Sequence, residues 1–207
     1  MAAANDKARI EGGGAAALAA SADEVAAGAV QPVVRPRVMR VLHWLTVLLL
    51  ILAAAVILTR EEVSAKPLRA WMLEIHRHLG LCVLLLFAVR IALRLRLGRL
   101  PELGHFAWPM RAAAASVHAA LYASILILPL LGWALSSAQD KPVHFFGLTL
   151  PLLVQPDFDL ADQLLMWHQD AAWALLALTL VHLSAALLHH FVLHDAVLRA
   201  MWPGRQR

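Results

Sequence analysis

Four long apolar stretches constrain this chain more than anything else in its sequence. A helix needs roughly 20 apolar residues to cross about 30 Å of hydrocarbon. Val41–Thr59, about Trp71–Leu95, about Ala112–Ala138 and about Leu164–Leu193 all meet that length. With 61% hydrophobic residues in 207, the chain holds more apolar material than a soluble domain can bury. The expected fold is an all-α integral membrane four-helix bundle. Pro129 and Gly132 in the third span are expected to kink it.

Charge sets the orientation. The first tail, the connection between the second and third spans, and the C-terminus carry thirteen of the eighteen Lys and Arg residues, Arg40 and Arg90 among them. The positive-inside rule then places both termini in the cytoplasm. The net charge of +4 is read as topology and contact with anionic lipid rather than nucleic-acid binding. Residues 1–34 are rich in Ala and Gly and interrupted by Asp6, Glu11, Asp23 and Glu24. They read as a disordered cytoplasmic tail and not as a signal peptide. Residues 35–203 form the bundle, and 204–207 are a C-terminal tail. The connection before the fourth span, apolar and Pro-rich, is expected to fold back on the outer face. Six tryptophans, Trp44, Trp71, Trp108, Trp133, Trp167 and Trp202, read as interfacial anchors. The one cysteine, Cys82, excludes an intrachain disulfide, a CxxC metal site and covalent CxxCH haem attachment.

Ionisable side chains inside a span are costly and point to function. The fourth stretch holds His168, His182, His189 and His190. His168 and His182 are fourteen residues apart, which puts them within about 40° of one helical face and about 21 Å apart along the axis. One metal ion cannot bridge that distance, whereas two stacked haems can, and bundle cores hold such groups. Depth pairs His76 with His168 at the outer end and His43 with His182 at the inner end. Small residues follow the ligands at one-turn spacing: Ala171 and Ala172, Ala185 and Ala186, and Gly80. His78 points about 160° away from His76, so His76 is the chosen ligand. A histidine-based zinc or proton transporter is the competing reading, but such a core would add carboxylates. Here the acids sit in loops and at helix ends.

The ordered set "LHWL", "IHRHLG", "VHAALY", "LPLLGW", "FFGLTLP" and "WHQDAAWALLALTLVHLSAALLHHF" followed by "DAVLRAMWP" resembles the bacterial cytochrome b561 family over about Arg37–Pro203. These are dihaem b-type cytochromes of the inner membrane. By position, the family's four ligands fall on His43, His76, His168 and His182. The resemblance implies two non-covalent haems b, and electron transfer from a donor at the outer surface to ubiquinone. Within the family this chain looks most like the superoxide oxidases, which are oxidoreductases acting on superoxide and ubiquinone. A related role is that of a dihaem subunit passing electrons between a partner dehydrogenase and quinone. On the superoxide reading, Arg69, Arg77 and Lys141 are expected to attract the anion. His189, with His190 second, is expected at the quinone, and His118 at a haem propionate or the quinone. His105, His144 and His194 are expected in loops or at the interface.

Overall fold

The computed structural model describes residues 36–98, 107–195 and 197–202. The expected tails, 1–34 and 204–207, lie outside the described residues, as does His105. Four long helices dominate: α1 (Arg37–Arg60), α2 (Lys66–Leu97), α3 (Trp108–Ala138) and α4 (Phe158–Phe191). Each is long and apolar enough to cross a membrane. A two-residue-stranded hairpin, β1 (His144–Phe145) paired antiparallel with β2 (Leu148–Thr149), precedes α4. A short helix, α5 (Val197–Met201), follows it.

The helices extend beyond the apolar stretches, and several of their ends carry residues suited to a helix terminus. Pro67 and Pro109 sit in the first turns of α2 and α3, where a missing N–H costs nothing. Asp157 accepts from the Leu160 amide at 3.0 Å and so starts α4, six residues before the expected Leu164. Arg94 and Arg96 close α2, the favoured sign at a helix C-terminus. The fourth helix stops at Phe191 rather than about Leu193. There the Leu188 carbonyl accepts from both Val192 (2.9 Å) and Leu193 (3.1 Å), and His194 turns into a left-handed conformation with φ 52°. Within the spans, Thr46, Ser124, Ser136, Ser137 and Thr179 each donate to the carbonyl four residues back. That is how a hydroxyl is satisfied where water is absent.

Backbone packing is closest between α1 and α2 and between α3 and α4, with α2 against α3 joining the two pairs. The outer end is the hairpin end. Ala138, Ala161 and Leu164 form a core there, covered by Leu131, Leu135 and Val154. The loop is strapped onto α3 by Asp157 N to Ala138 O (3.0 Å), Leu153 N to Ser137 Oγ (3.2 Å) and Trp133 Nε1 to Pro151 O (3.1 Å). Trp133, expected as an anchor in lipid headgroups, therefore fastens the loop instead. The hairpin turn uses positive φ at both Phe146 (46°) and Gly147 (83°), as a two-residue turn matched to strand twist requires. The loop lies over the ends of the helices, with Phe146 and Leu148 turned outward.

The opposite, inner end is closed by α5. Arg40 Nη1 donates to the Trp202 carbonyl at 2.7 Å, and Trp44 Nε1 donates to the Met201 carbonyl at 2.8 Å. The Trp44 and Trp202 rings pack edge to face at 6.0 Å. Charge counting assigned Arg40 to the cytoplasmic side and Trp44 to an interface. The fold uses both to hold the C-terminal helix against α1, and Arg40 is buried.

Candidate functional site: two histidine pairs

The side chains that bridge α4 to the first two helices are histidines. At the inner end, the rings of His43 (α1) and His182 (α4) have centroids 6.4 Å apart and planes at 68°. At the outer end, His76 (α2) and His168 (α4) are 6.1 Å apart at 79°. An imidazole nitrogen binds a transition metal at about 2.0 Å. Two rings opposed across one iron therefore stand with centroids about 6 Å apart, and both pairs fit that spacing. Four half-buried imidazoles form two sets of two, one at each end of the bundle. Among the described residues, no group of three or more His, Cys, Asp or Glu side chains is placed to hold a bare metal ion.

Hydrogen bonding sets which nitrogen is available at the outer pair. His76 Nδ1 donates to the Ala53 carbonyl of α1 at 2.9 Å. The proton is thereby fixed on Nδ1, and the Nε2 lone pair is left to bind a metal, as partners behind a ligand typically do. Across from it, His168 lies against Gly132 of α3. A Cβ at that glycine would come within 3.2 Å of the His168 Cε1. His168 Nδ1 is buried without a hydrogen bond of acceptable geometry, although the Leu128 carbonyl lies towards it. No Cβ added at Gly80, one turn from His76, would touch anything within 4 Å, so the space beside that ring is open.

At the inner pair, His118 of α3 also meets His182, with centroids 5.3 Å apart. That spacing is short for two ligands opposed across one iron, and His43 has the better one. Arg90 of α2 is close enough to act electrostatically on both His43 and His182. Its guanidinium lies over the Tyr122 ring, 5.2 Å from the centroid. Charge patterning alone reads Arg90 as a cytoplasmic-side cation. A charge count assigns a side of the membrane but cannot assign a helix face, and the fold turns this residue into the bundle.

The remaining predicted residues are distributed differently. Arg69 pairs with Glu61 at 3.3 Å and Arg77 with Glu74 at 2.5 Å, while Lys141 is exposed and donates to Gln139 at 3.0 Å. His189 pairs with Asp195 through Nδ1. Asp195 in turn accepts from the Val197 amide at 3.0 Å, so the pair also fixes the turn into α5. His190 packs on Phe191. His78 donates Nδ1 to the Glu74 carbonyl at 2.8 Å and packs beneath Phe145 and Phe146 of the hairpin. His144 Nδ1 shares a hydrogen bond with the Thr149 hydroxyl at 3.1 Å, and His194 sits in the turn after α4.

Comparison with known proteins bears directly on this arrangement. Residues 34–204 match the model for prokaryotic cytochrome b561. The chain belongs to the prokaryotic cytochrome b561 family. This cytochrome is therefore a multi-pass protein of the bacterial inner membrane whose work is electron transfer through b-type haem. It is 34% identical over 166 residues to a Yersinia pestis protein named probable superoxide oxidase CybB, covering 80% of this chain and 93% of that one. It is also similar to cytochrome b561 homolog 1 of Escherichia coli, at 31% identity with 80% and 94% of the two chains covered. To cytochrome b561 homolog 2 of the same organism the identity is 28%, covering 62% and 69%.

Proposed function

We propose that this cytochrome is a superoxide:ubiquinone oxidoreductase that moves electrons inward through two haems b. His76 and His168 would hold the outer haem, and His43 and His182 the inner one. The observation that carries the reading is the spacing of the two pairs. Each is separated as two ligands of a single iron must be, and α4 contributes one ring to each at a fourteen-residue interval. Held by two histidines, haem would supply a one-electron redox centre that exchanges electrons rather than binding substrate.

The chain's own residues do the rest. Ala53 fixes the tautomer and orientation of His76, and Gly132 gives the His168 ring room to lie against α3. At the outer face, Arg69, Arg77 and Lys141 attract the superoxide anion. Because Glu61 and Glu74 offset the two arginines, Lys141 is the strongest of the three. The name of the Yersinia relative supports superoxide as the donor. Two superoxide anions give up one electron each and leave as two molecules of oxygen. One ubiquinone takes the two electrons and two protons and leaves as ubiquinol.

The quinone would meet the protein at the inner end, beyond His182. His189 continues the ligand stripe seven residues on, about 10 Å nearer the cytoplasm. Its bond to Asp195 suits it to orient towards a quinone oxygen and to pass it a proton, with His190 beside it. His118 stands at the level of His182. Inward movement of electrons and protonation from the cytoplasm follow the orientation expected from charge.

Turnover decides the matter. Purified protein in ubiquinone-containing liposomes should consume superoxide and form ubiquinol in a two-to-one ratio. Reduction of the haems by dithionite without any superoxide-dependent ubiquinol would favour the alternative, a subunit serving a partner dehydrogenase.

A further inference from the structure

One interval recurs on three helices. On α4, His168 and His182 are fourteen residues apart. On α3, Gly132 and His118 are fourteen apart, the first against the His168 ring and the second against His182. On α2, His76 and Arg90 are separated by the same fourteen residues. Both α2 and α4 run from the outer end to the inner, so the interval carries each about 21 Å inward on nearly the same face. His76 meets His168 at the outer level, and Arg90 reaches the level of His182. Where α4 presents its second imidazole, α2 presents a cation.

The surroundings of that cation are unusual. Arg90 Nε is buried without a hydrogen-bond partner, and the guanidinium rests on the face of Tyr122. Among the described residues no carboxylate pairs with it, whereas Arg77, beside the outer pair, is held by Glu74 at 2.5 Å. A charge inside a span is costly to keep, and one without a counter-charge is costlier. The outer pair thus has next to it a cation neutralised by a protein carboxylate, and the inner pair one that no carboxylate of the described residues pairs with.

We infer that Arg90 is the residue that tunes the inner haem: its charge favours the reduced state of the group held by His43 and His182 and so draws the electron inward. This rests on the two-haem reading above. Arg90 acts across space and needs no bond to the iron. In a low-dielectric interior such an effect is little screened. The outer haem, at a level about 21 Å away along the axis, feels less of it, so the asymmetry favours inward transfer.

The test is a redox titration of the purified, haem-loaded protein, followed by absorption, with wild type, Arg90→Gln and Arg90→Lys in parallel. His182→Ala, lacking the inner haem, identifies the outer wave. In Arg90→Gln two haems should remain, and the electron's preference for the inner over the outer haem should fall about tenfold or more. For a one-electron couple, tenfold is about 59 mV, seen as a lowered inner wave beside an unmoved outer one. Arg90→Lys, which keeps the charge, should restore most of the difference. An unmoved inner wave, or an equal shift of both waves, would overturn the inference. So would loss of the inner haem from both variants, which would make Arg90 a packing residue. A single haem in the wild type would instead overturn the two-haem reading, and this inference with it.

Discussion

Gly132 and His168 fit closely together: a Cβ on the glycine would stand 3.2 Å from the imidazole Cε1, so the ring would have to give by a few tenths of an ångström, and 3.5 Å from Nδ1. The contact lies in the third helix, three residues past Pro129, within an α-helix assigned from Trp108 to Ala138; there Gly132 serves as the seat of a ring.

Gly132→Ala should therefore disturb the outer site and spare the inner one. Overpacking of this kind costs about 1–3 kcal/mol, and the movable partner is the His168 ring. Quantifying haem per chain after purification should give a value falling from two towards one, with the inner haem's spectrum unchanged. Full retention of both haems would argue that the ring can shift at no cost.

Ligand replacements should separate the two sites cleanly. His182→Ala and His43→Ala should each remove the inner haem, and His168→Ala and His76→Ala the outer. In every case one haem per chain remains, measured as the pyridine haemochrome. His118→Ala should keep both. Loss of a haem from that variant, with retention in His43→Ala, would exchange the roles of those two residues.

The clasp between α1 and α5 should contribute to stability. Trp44→Phe keeps the ring against Trp202 but leaves the Met201 carbonyl without its donor, a loss of about 1–3 kcal/mol. Thermal unfolding in detergent should show a lowered midpoint. Haem content should stay at two in the folded protein, because Trp44 is a neighbour of His43 and not a ligand.

Superoxide capture should depend unequally on the three basic residues. Lys141→Gln should lower kcat/KM for superoxide several-fold and flatten its dependence on ionic strength, since steering by charge is screened by salt. Arg69→Gln should have a smaller effect, because Glu61 already offsets that charge. Glu61→Gln should raise the rate by releasing Arg69. Stopped-flow measurement of haem reduction at two salt concentrations distinguishes these outcomes.

At the inner end, Asp195→Asn and His189→Gln should slow ubiquinol formation while leaving haem reduction by superoxide unaffected. Unchanged ubiquinol formation in both variants would leave the His189–Asp195 pair with the turn into α5 as its whole role.

Much of this architecture was legible in the chain because the bilayer imposes it. Apolar runs of span length, the sign bias of the connections and the fourteen-residue interval on α4 are all one-dimensional facts, and helical geometry converts them into depth and face. That is why the rings that meet across the bundle could be named from position. Arg90, Gly132 and the Ala53 carbonyl were not legible in the same way. Counting charge put Arg90 on the cytoplasmic side, a glycine beside a proline suggests bending, and a backbone carbonyl carries no sequence signal at all.

What the sequence determined alone, then, is the number of span-length helices, the level of each paired histidine along its helix and the face it occupies, since all three follow from a fixed rise and turn per residue. Tertiary structure decided what fills the space next to each ring. It made Gly132 a seat for His168, gave His76 its tautomer through Ala53, bound Arg40 and Trp44 to the C-terminal helix, and turned Arg90 inward over Tyr122. Those outcomes depend on how helices lie against one another, and a helix's own periodicity carries no information about its neighbours.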